Sequence, residues 1–334
     1  MGWPLLPSVP DGPRPLWSVM IPTYNCAQYL QDTLASVLAQ DPGPGVMQIE
    51  VVDDCSTSDN PEAVVREFGA GRVSFHRRPA NGGHVANFRT CLERSRGHLI
   101  HLLHGDDAVR PGFYDKLLRG FEAGDDIGAA FCRQIYIDEK GQQVWISEPE
   151  RQESGPLDHW LERIAERQLI QTPSIAVRRK VYETIGTFDP RLSWSEDWEM
   201  WVRIAAHYGM WHEVEPLALY RVHQSSSTAT RIRTGENLRD ARRAVEITQT
   251  YLPPELSPVR AKSLRFWAED AITNRIPLLL RRDEFQAALA QLREASRCSR
   301  SEVLRHAPFL GSLMVKACTR RLARWIRRRE SAPT

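Results

Sequence analysis

Long hydrophobic runs are absent from the sequence. A membrane-spanning helix needs about 18 consecutive apolar residues, and the nearest candidates, 276–280 and 307–315, are much shorter. The segment from Met1 to Pro15 is rich in proline and glycine and does not join a basic start to an apolar core. It therefore does not resemble a secretory signal, and we expect a cytoplasmic protein.

The sequence has few cysteines and no large excess of positive or negative charge. The six cysteines are widely scattered and form no C-x-x-C pair, so we expect reduced thiols rather than a disulfide framework or a zinc site. Forty-four basic and 42 acidic side chains leave a net charge of +2. So small a net charge does not suit binding to polyanions over the whole surface, and nucleic acid is not expected as a partner.

The first part of the chain alternates between short apolar runs and stretches with helical periodicity. We predict strands at 17–21, 49–52, 73–75, 98–103 and 127–137, and helices at 29–38, from 61, at 85–95 and from 111. This alternation indicates right-handed βαβ units, so we expect an α/β fold with a mostly parallel sheet flanked by helices.

Polar clusters follow the predicted strands at their carboxyl ends, where open parallel sheets bind ligands. These clusters are Thr23-Tyr24-Asn25, Asp53-Asp54, Asn81 to His84, and Asp106-Asp107. Neither G-x-G-x-x-G after the first strand nor G-x-x-x-x-G-K-[ST] occurs, so a glycine-rich phosphate loop is not expected. We expect a metal ion to neutralise the phosphates of the ligand instead.

Two pairs of adjacent acids are candidates for this ligand site. Neighbouring residues of an extended segment point in opposite directions, so one carboxylate of Asp106-Asp107 could contact a sugar hydroxyl while the other binds Mg²⁺ or Mn²⁺. In the pair Asp53-Asp54 a carboxylate could accept a hydrogen bond from a base, on which Tyr24 could stack. For both pairs the alternative is ordinary turn and helix-capping chemistry.

The segment from Trp194 to Trp201 combines three tryptophans with three acids. An aromatic face suits the C–H side of a sugar, and a partly dehydrated carboxylate is a stronger base toward a hydroxyl. The alternative is the acidic first turn of a helix whose Trp201 packs inward.

Five motifs occur in order between residues 17 and 225. They are Ser18-Val-Met-Ile-Pro-Thr-Tyr-Asn25, Glu50-Val-Val-Asp-Asp-Cys-Ser-Thr57, Gly105-Asp-Asp107, Glu196-Asp-Trp-Glu-Met-Trp201 and Tyr220-Arg-Val-His223. Together they resemble glycosyltransferase family 2, the inverting enzymes of the GT-A fold. The loop Asn81-Gly-Gly-His84, followed by Asn87-Phe-Arg89, departs from the family's commoner alanine-arginine-asparagine version.

The resemblance implies a role for each matching residue. The expected nucleotide and donor contacts are Pro22, Thr23, Tyr24, Asn25, Asp54 (at the base), Asn81 and Asp106 (at the ribose). Asp107 would bind Mn²⁺ or Mg²⁺ and the diphosphate, and His223 would contact the metal or diphosphate. Asp197 would be the catalytic base with Glu196 beside it. From the aromatic and acidic pattern of their own segment, Trp194 and Trp198 are expected to contact the acceptor sugar.

The implied activity is transfer of a sugar from a UDP- or dTDP-sugar to a hydroxyl of a glycan or lipid-linked acceptor, in the synthesis of a bacterial surface or secreted glycan. Two alternatives stay open. A sugar nucleotidyltransferase also uses a parallel sheet and acidic metal ligands, and a non-catalytic protein could bind the nucleotide-sugar with a degenerate site. The retained acids argue against degeneracy.

Three regions are expected along the chain. Residues 1–16 form an extension, 17–228 the glycosyltransferase domain, and 229–334 a helical region. Within the domain, 17–138 would bind the nucleotide-sugar and 139–228 would hold the acceptor and the base.

The last predicted helix is basic, with seven basic residues and no acid between Lys316 and Arg329. One side would carry Met314, Cys318, Leu322, Trp325 and Ile326, and the other Lys316, Arg320, Arg324 and Arg327. Such a helix suits an anionic membrane surface, here the inner face of the cell membrane. The alternative is a helix packed on the protein with solvated arginines.

Overall fold

The computed structural model of the chain describes residues 2–10, 12–223 and 226–330, with the backbone alone for 322–330. Two compact units are present. The first comprises Met1–Ile164 and Gln168–His223, and the second comprises Ala165–Arg167 and Gln224–Thr334.

The first unit is built around one sheet. Its strands are β1 (Trp17–Thr23), β2 (Met47–Asp53), β3 (Ser74–Arg77), β4 (Leu99–Leu102), β5 (Ala108–Val109), β6 (Ile127–Ile137), β7 (Gln143–Ile146), β8 (Gly155–Pro156), β9 (Ile175–Arg178) and β10 (Gly209–Arg221). They lie in the order β3-β2-β1-β4-β9-β6-β10-β5, with β7 paired to β6 and β8 to β10.

Most of these strands run in one direction. β1 is parallel to β2 and β4, β2 to β3, and β6 to β10. β9 is antiparallel to both β4 and β6, so those two strands share a direction across it. The prediction of an α/β fold with a mostly parallel sheet is therefore confirmed.

Helices flank the sheet and follow the predicted alternation. They are α1 (Ala27–Leu38), α2 (Pro61–Phe68), α3 (His84–Arg94), α4 (Phe113–Glu122), α5 (Trp160–Glu166), α6 (Arg179–Ile185) and α7 (Glu196–His207). Asn60 accepts the backbone N–H of Ala63 at 3.2 Å and caps α2, which begins at residue 61 as predicted. Every residue of β1 is buried, as expected for a strand with helices on both faces.

Residues before β1 are packed into the first unit. The indole N–H of Trp3 donates to Asp189 at 3.1 Å, and the backbone N–H of Thr187 donates to the carbonyl of Pro4 at 2.8 Å. The Arg203 guanidinium lies 4.3 Å from the centre of the Trp3 ring. The extension thus covers the segment that leads into α7.

The second unit is helical. Its helices are α8 (Ser227–Thr234), α9 (Glu236–Thr248), α10 (Val259–Asp270), α11 (Ile276–Arg281), α12 (Phe285–Cys298), α13 (Arg300–Arg305) and α14 (Ala307–Glu330), with a π-helix at Ala271–Arg275. Leu238, Val245, Trp267 and Ile272 contribute to its buried interior.

α14 covers the predicted basic amphipathic helix. Lys316 and Arg320 are exposed and Ala317 is buried. The predicted face residues Leu322, Arg324, Trp325, Ile326 and Arg327 lie outside the residues whose side chains are described. Across the described chain, no helix meets the combined length and hydropathy requirement for crossing a membrane.

Candidate active site

The carboxyl end of β1 lies between two acidic loops. The backbone N–H of Asp54 donates to the carbonyl of Thr23 at 2.9 Å, and that of Gly105 donates to Pro22 at 3.1 Å. A Cβ atom on Gly105 would lie only 2.7 Å from the Thr23 hydroxyl oxygen, so this close approach requires glycine. The loops that follow β2 and β4 therefore meet at one edge of the sheet.

The end of β10 holds the Asp106-Asp107 turn in place. The backbone N–H of Arg221 donates to Oδ1 of the buried Asp107 at 2.8 Å, and its Nε donates to the carbonyl of Asp106 at 2.8 Å. The Thr33 hydroxyl donates to the carbonyl of Asp107 at 2.7 Å. Arg221 belongs to a motif noted in the sequence, but its part in fixing both acids was not predicted.

His104, Asp106 and Asp107 form a compact group that could hold a metal. One ligand atom from each lies within 4.8 Å of the others. Oδ2 of Asp107 is buried, and apart from Nδ1 of His104 at 3.3 Å it has no hydrogen-bonding partner in the described part of the chain. Nε2 of His104 is likewise buried without a partner there. Two carboxylates and an imidazole, with atoms left unsatisfied, fit a divalent cation such as Mn²⁺.

His104 was missed in the sequence, although a signal was available. It stands directly before Gly105-Asp106-Asp107, at the point where the chain leaves β4. Imidazole at the carboxyl end of a parallel strand is a common metal ligand. The predicted metal residue Asp107 lies in the group.

His223 contacts the outer acid of this group. Its Nε2 lies 2.9 Å from Oδ2 of Asp106, and its ring packs on Tyr29 with centroids 5.3 Å apart. The hydrogen bond with Asp106 raises the pKa of His223, while burial works against this rise. Contact of His223 with a metal or diphosphate stays a prediction.

The two acids differ in proton affinity. Burial and the negative charge of Asp106 raise the pKa of Asp107 to about 6. Burial also raises the pKa of Asp106, but the hydrogen bond with His223 and the charges of His104 and His223 outweigh it, so the net pKa is lowered. Asp106 therefore keeps its negative charge more readily than Asp107.

Asp197 lies in the first turn of α7, partly accessible. Its Oδ1 accepts the backbone N–H of Trp198 at 2.6 Å, and its Oδ2 accepts the Thr172 hydroxyl at 3.3 Å. Burial and the charge of Glu196 raise the pKa of Asp197 to about 7, while the positive charge of His104 lowers it. This interaction with His104 means that α7 brings Asp197 into the neighbourhood of the metal-binding group.

Asp54 organises the loop after β3. Its carboxylate forms an ion pair with Arg78 and accepts the backbone N–H groups of Gly82 at 3.0 Å and Gly83 at 2.8 Å. The side-chain amide of Asn81 donates to the carbonyl of Asp54 at 3.1 Å. These bonds occupy the carboxylate that was predicted to contact the base, and they shape the loop whose sequence departs from the family pattern.

The same loop reaches the acids of α7 through His84. Nε2 of His84 lies 2.7 Å from Oε1 of Glu196. The His84 ring packs edge-on against Phe88 at 5.6 Å, and Phe88 stacks on His104 at 5.3 Å and 14°. A continuous series of contacts thus joins Asp54, Glu196 and the metal-binding group.

The remaining predicted nucleotide contacts differ in accessibility. Tyr24 is 46% exposed and available for stacking. Pro22 and Thr23 are buried, and the Thr23 hydroxyl donates to the carbonyl of Ile21 at 3.3 Å. The Asn25 side-chain oxygen accepts the backbone N–H groups of residues 57 and 58 at 2.9 and 3.0 Å, so this side chain joins two loops.

The predicted sugar contact of Trp198 is wrong. This side chain is 1% exposed, and its indole N–H donates to the carbonyl of Ile164 at 2.6 Å. Trp201 is also buried, as the alternative reading of this helix predicted, while Trp194 is partly exposed and its acceptor contact stays a prediction. Tryptophans three residues apart lie on one face of a helix, and in α7 that face is the inner one.

The chain is similar to a known family and to proteins of other organisms. The model for glycosyl transferase family 2 matches residues 18–186. An uncharacterized protein of Mycobacterium tuberculosis is 30% identical over 269 residues, covering 76% of this chain and 82% of the relative. An uncharacterized glycosyltransferase of Methanocaldococcus jannaschii is 25% identical, covering 66% and 75%.

Two solved structures share the fold. Residues 1–349 of Staphylococcus aureus TarS in complex with UDP-GlcNAc superpose with a TM-score of 0.63 at 16% identity, covering 90% of this chain and 88% of that one. The mannosyltransferase PcManGT of Pyrobaculum calidifontis, in complex with GDP-Man and Mn²⁺, gives 0.56 at 18% identity, covering 96% and 90%. The chain belongs to glycosyl transferase family 2 and is a glycosyltransferase, as its five motifs predicted.

Proposed function

We propose that this glycosyltransferase moves a sugar from a UDP- or dTDP-sugar to a hydroxyl of a glycan or lipid-linked acceptor, in the synthesis of a surface or secreted glycan. The observation that carries the proposal is the neighbourhood of His104, Asp106 and Asp107 with Asp197. A cation site beside a carboxylate base is what sugar transfer from a nucleoside diphosphate needs.

The proposed reaction is a single displacement that inverts the anomeric carbon. The acceptor oxygen forms a bond to that carbon as the bond to the diphosphate oxygen breaks, and the diphosphate leaves with the bonding electrons. Asp197 takes the proton of the acceptor hydroxyl. Its partial accessibility and its pKa of about 7 suit a general base at neutral pH.

His104, Asp106 and Asp107 would hold the cation, with Mn²⁺ favoured by the mixed imidazole and carboxylate set. When bound, the cation supplies positive charge that stabilises a departing diphosphate. The hydrogen bonds from Arg221 would fix the positions of Asp106 and Asp107 for binding the cation, and His223 would orient the Asp106 carboxylate.

The nucleotide would lie at the carboxyl ends of β1 and β2. Exposed Tyr24 would stack on the base, and the loop shaped by Asp54 would contact the nucleotide through Asn81 and its backbone. That UDP-GlcNAc and GDP-Man are bound by proteins of the same fold supports a nucleotide-sugar donor here.

The test is a thermal-shift screen of UDP-, dTDP- and GDP-sugars with and without Mn²⁺, followed by measurement of nucleoside diphosphate release. We expect Mn²⁺-dependent stabilisation by one donor and its slow hydrolysis. Asp197→Asn should abolish transfer and keep the donor-induced stabilisation, whereas Asp107→Asn should lose the Mn²⁺-dependent part. Asp115→Asn, on the exposed side of α4, is the matched control.

Two results would contradict the proposal. Normal transfer by Asp197→Asn would exclude that residue as the base. Release of pyrophosphate from a nucleoside triphosphate and a sugar phosphate would favour a nucleotidyltransferase.

We also propose that the chain attaches peripherally to an anionic membrane through its basic end. The support is the excess of basic residues from Lys316 to Arg329, a segment whose sequence contains no aspartate or glutamate.

A further inference from the structure

Three aromatic side chains line up across β7, β6 and β10. Trp145 pairs with Tyr136, and Tyr136 pairs with Tyr220, in the register of the strands. Residues directly opposite on neighbouring strands project from the same face of a sheet. The ring centroids are 4.8 Å apart for Tyr136 and Trp145 and 5.3 Å apart for Tyr136 and Tyr220. We call these three residues the aromatic row.

The outer end of the aromatic row is open to solvent. Trp145 is 50% exposed, although a large apolar ring is more often covered in a folded protein. Its strand, β7, is joined to β6 by a tight turn in which the Asp138 carboxylate accepts the backbone N–H groups of Lys140 and Gln142, both at 2.9 Å. The ring is therefore presented on a defined hairpin.

The inner part of the aromatic row approaches the proposed base. Tyr136 is hydrogen-bonded to the side chain of Gln171, and the next residue, Thr172, donates its hydroxyl to Asp197 at 3.3 Å. Burial raises the pKa of Tyr136, and the negative charge of Asp197 adds to this rise. Tyr220 directly precedes Arg221, whose backbone N–H is bonded to Asp107.

We propose that the aromatic row is an acceptor subsite, in which Trp145 covers the C–H face of a sugar ring of the acceptor. This inference rests on the proposed function. An acceptor hydroxyl must reach Asp197, and the row joins the exposed Trp145 to Tyr136, whose partner Gln171 directly precedes the Thr172 that donates to Asp197. Sugar sites combine an aromatic face with amides for the hydroxyl groups, and the partly exposed Gln171 beside Tyr136 supplies such an amide.

The test separates acceptor binding from donor chemistry. The probes are a panel of p-nitrophenyl hexopyranosides as surrogate acceptors, with the nucleotide-sugar that stabilises the protein as donor. For Trp145→Ala we expect the acceptor KM to rise about three- to tenfold, since stacking on an aromatic ring contributes on that scale. Donor KM, and donor hydrolysis without acceptor, should stay as in the wild type.

Two further variants make the result specific. Trp145→Phe retains an aromatic face and should restore most of the acceptor affinity. Val144→Ala alters the neighbouring residue, which is 67% exposed and points to the opposite face of β7, and should leave the acceptor KM unchanged.

An acceptor KM that is unchanged in Trp145→Ala would overturn the assignment, and so would an equal rise in Val144→Ala. Loss of donor hydrolysis in Trp145→Ala would place the residue in the donor site instead. A different result would contradict the proposed function itself: Asp107→Asn would then hydrolyse the donor as fast as the wild type.

Discussion

Removal of the Glu196 charge should shift the pH dependence of transfer. Burial, and after it the charge of Glu196, raise the pKa of Asp197 from 3.8 to about 7. A general base acts only when it is deprotonated, so kcat/KM of the wild type should rise with pH and level off above about 7. In Glu196→Gln the repulsion between two carboxylates is gone, and the acidic limb should move to lower pH.

The size of this shift follows from the interaction between like charges. Two unit charges about 6 Å apart repel by roughly 3 kcal/mol at an effective dielectric constant of about 20, which corresponds to about two pH units. Because Asp197 is partly accessible, water screens the repulsion, and we expect a shift of about one pH unit.

The assay is the initial rate of transfer from about pH 5 to pH 9 at constant Mn²⁺ and limiting donor. Glutamine can still accept a hydrogen bond from His84, so the substitution removes the charge while retaining the contact. Glu246→Gln, an exposed position on α9, is the control and should keep the wild-type profile. An acidic limb at the same pH in Glu196→Gln and wild type would show that the Glu196 charge does not raise the pKa of Asp197.

Three further predictions concern stability, metal and membrane. Because the pKa of Asp197 is raised from 3.8 to about 7 in the folded protein, its carboxylate lowers the stability of the fold as the pH rises through that range. Asp197→Asn should therefore raise Tm at pH 8 and leave it nearly unchanged near pH 4, as measured by differential scanning fluorimetry. An equal gain in Tm at both pH values would contradict this prediction. His104→Ala should weaken Mn²⁺ binding in calorimetry about tenfold or more, and wild-type affinity would remove His104 from the ligand set. Anionic liposomes should float the full chain and not a chain that ends at Val315, and equal flotation would exclude attachment through the basic end.

The regular elements of the first unit were predictable because long apolar runs and helical periodicity are local signals. β6 begins and ends at the predicted residues, α1 ends at the predicted residue 38, and α2 begins at the predicted residue 61. The strands β5 and β8 were missed, since two residues are too few to establish a period, and β7 was missed although it is as long as β3 and β4.

Site residues that directly follow a strand could be placed from the sequence. The direction in which a side chain points could not. The placement of Asp54, Asp106 and Asp107 at one edge of the sheet follows from parallel topology. The inward direction of Trp198 depends on the packing of α7 against the rest of the unit, which composition does not reveal. Trp145 was not recognised as a site residue because its strand, β7, was not predicted.

The hydrogen-bonding partners of the Asp54 carboxylate could not be predicted from the sequence. Asp54 was expected at a nucleotide base, yet its carboxylate is satisfied by Arg78 and by two backbone N–H groups of the following loop. Which donor a buried carboxylate meets is decided by residues 24 to 29 positions later in the chain, and that distance is not readable from local motifs.

The most direct test is a crystal of the chain grown with Mn²⁺ and the donor selected in the thermal-shift screen, with the metal located by anomalous scattering. We predict one manganese peak within ligand distance of His104, Asp106 and Asp107, with the anomeric carbon of the sugar facing Asp197. A cation bound elsewhere would exclude these three residues as its ligands, and a sugar turned away from that carboxylate would exclude Asp197 as the base.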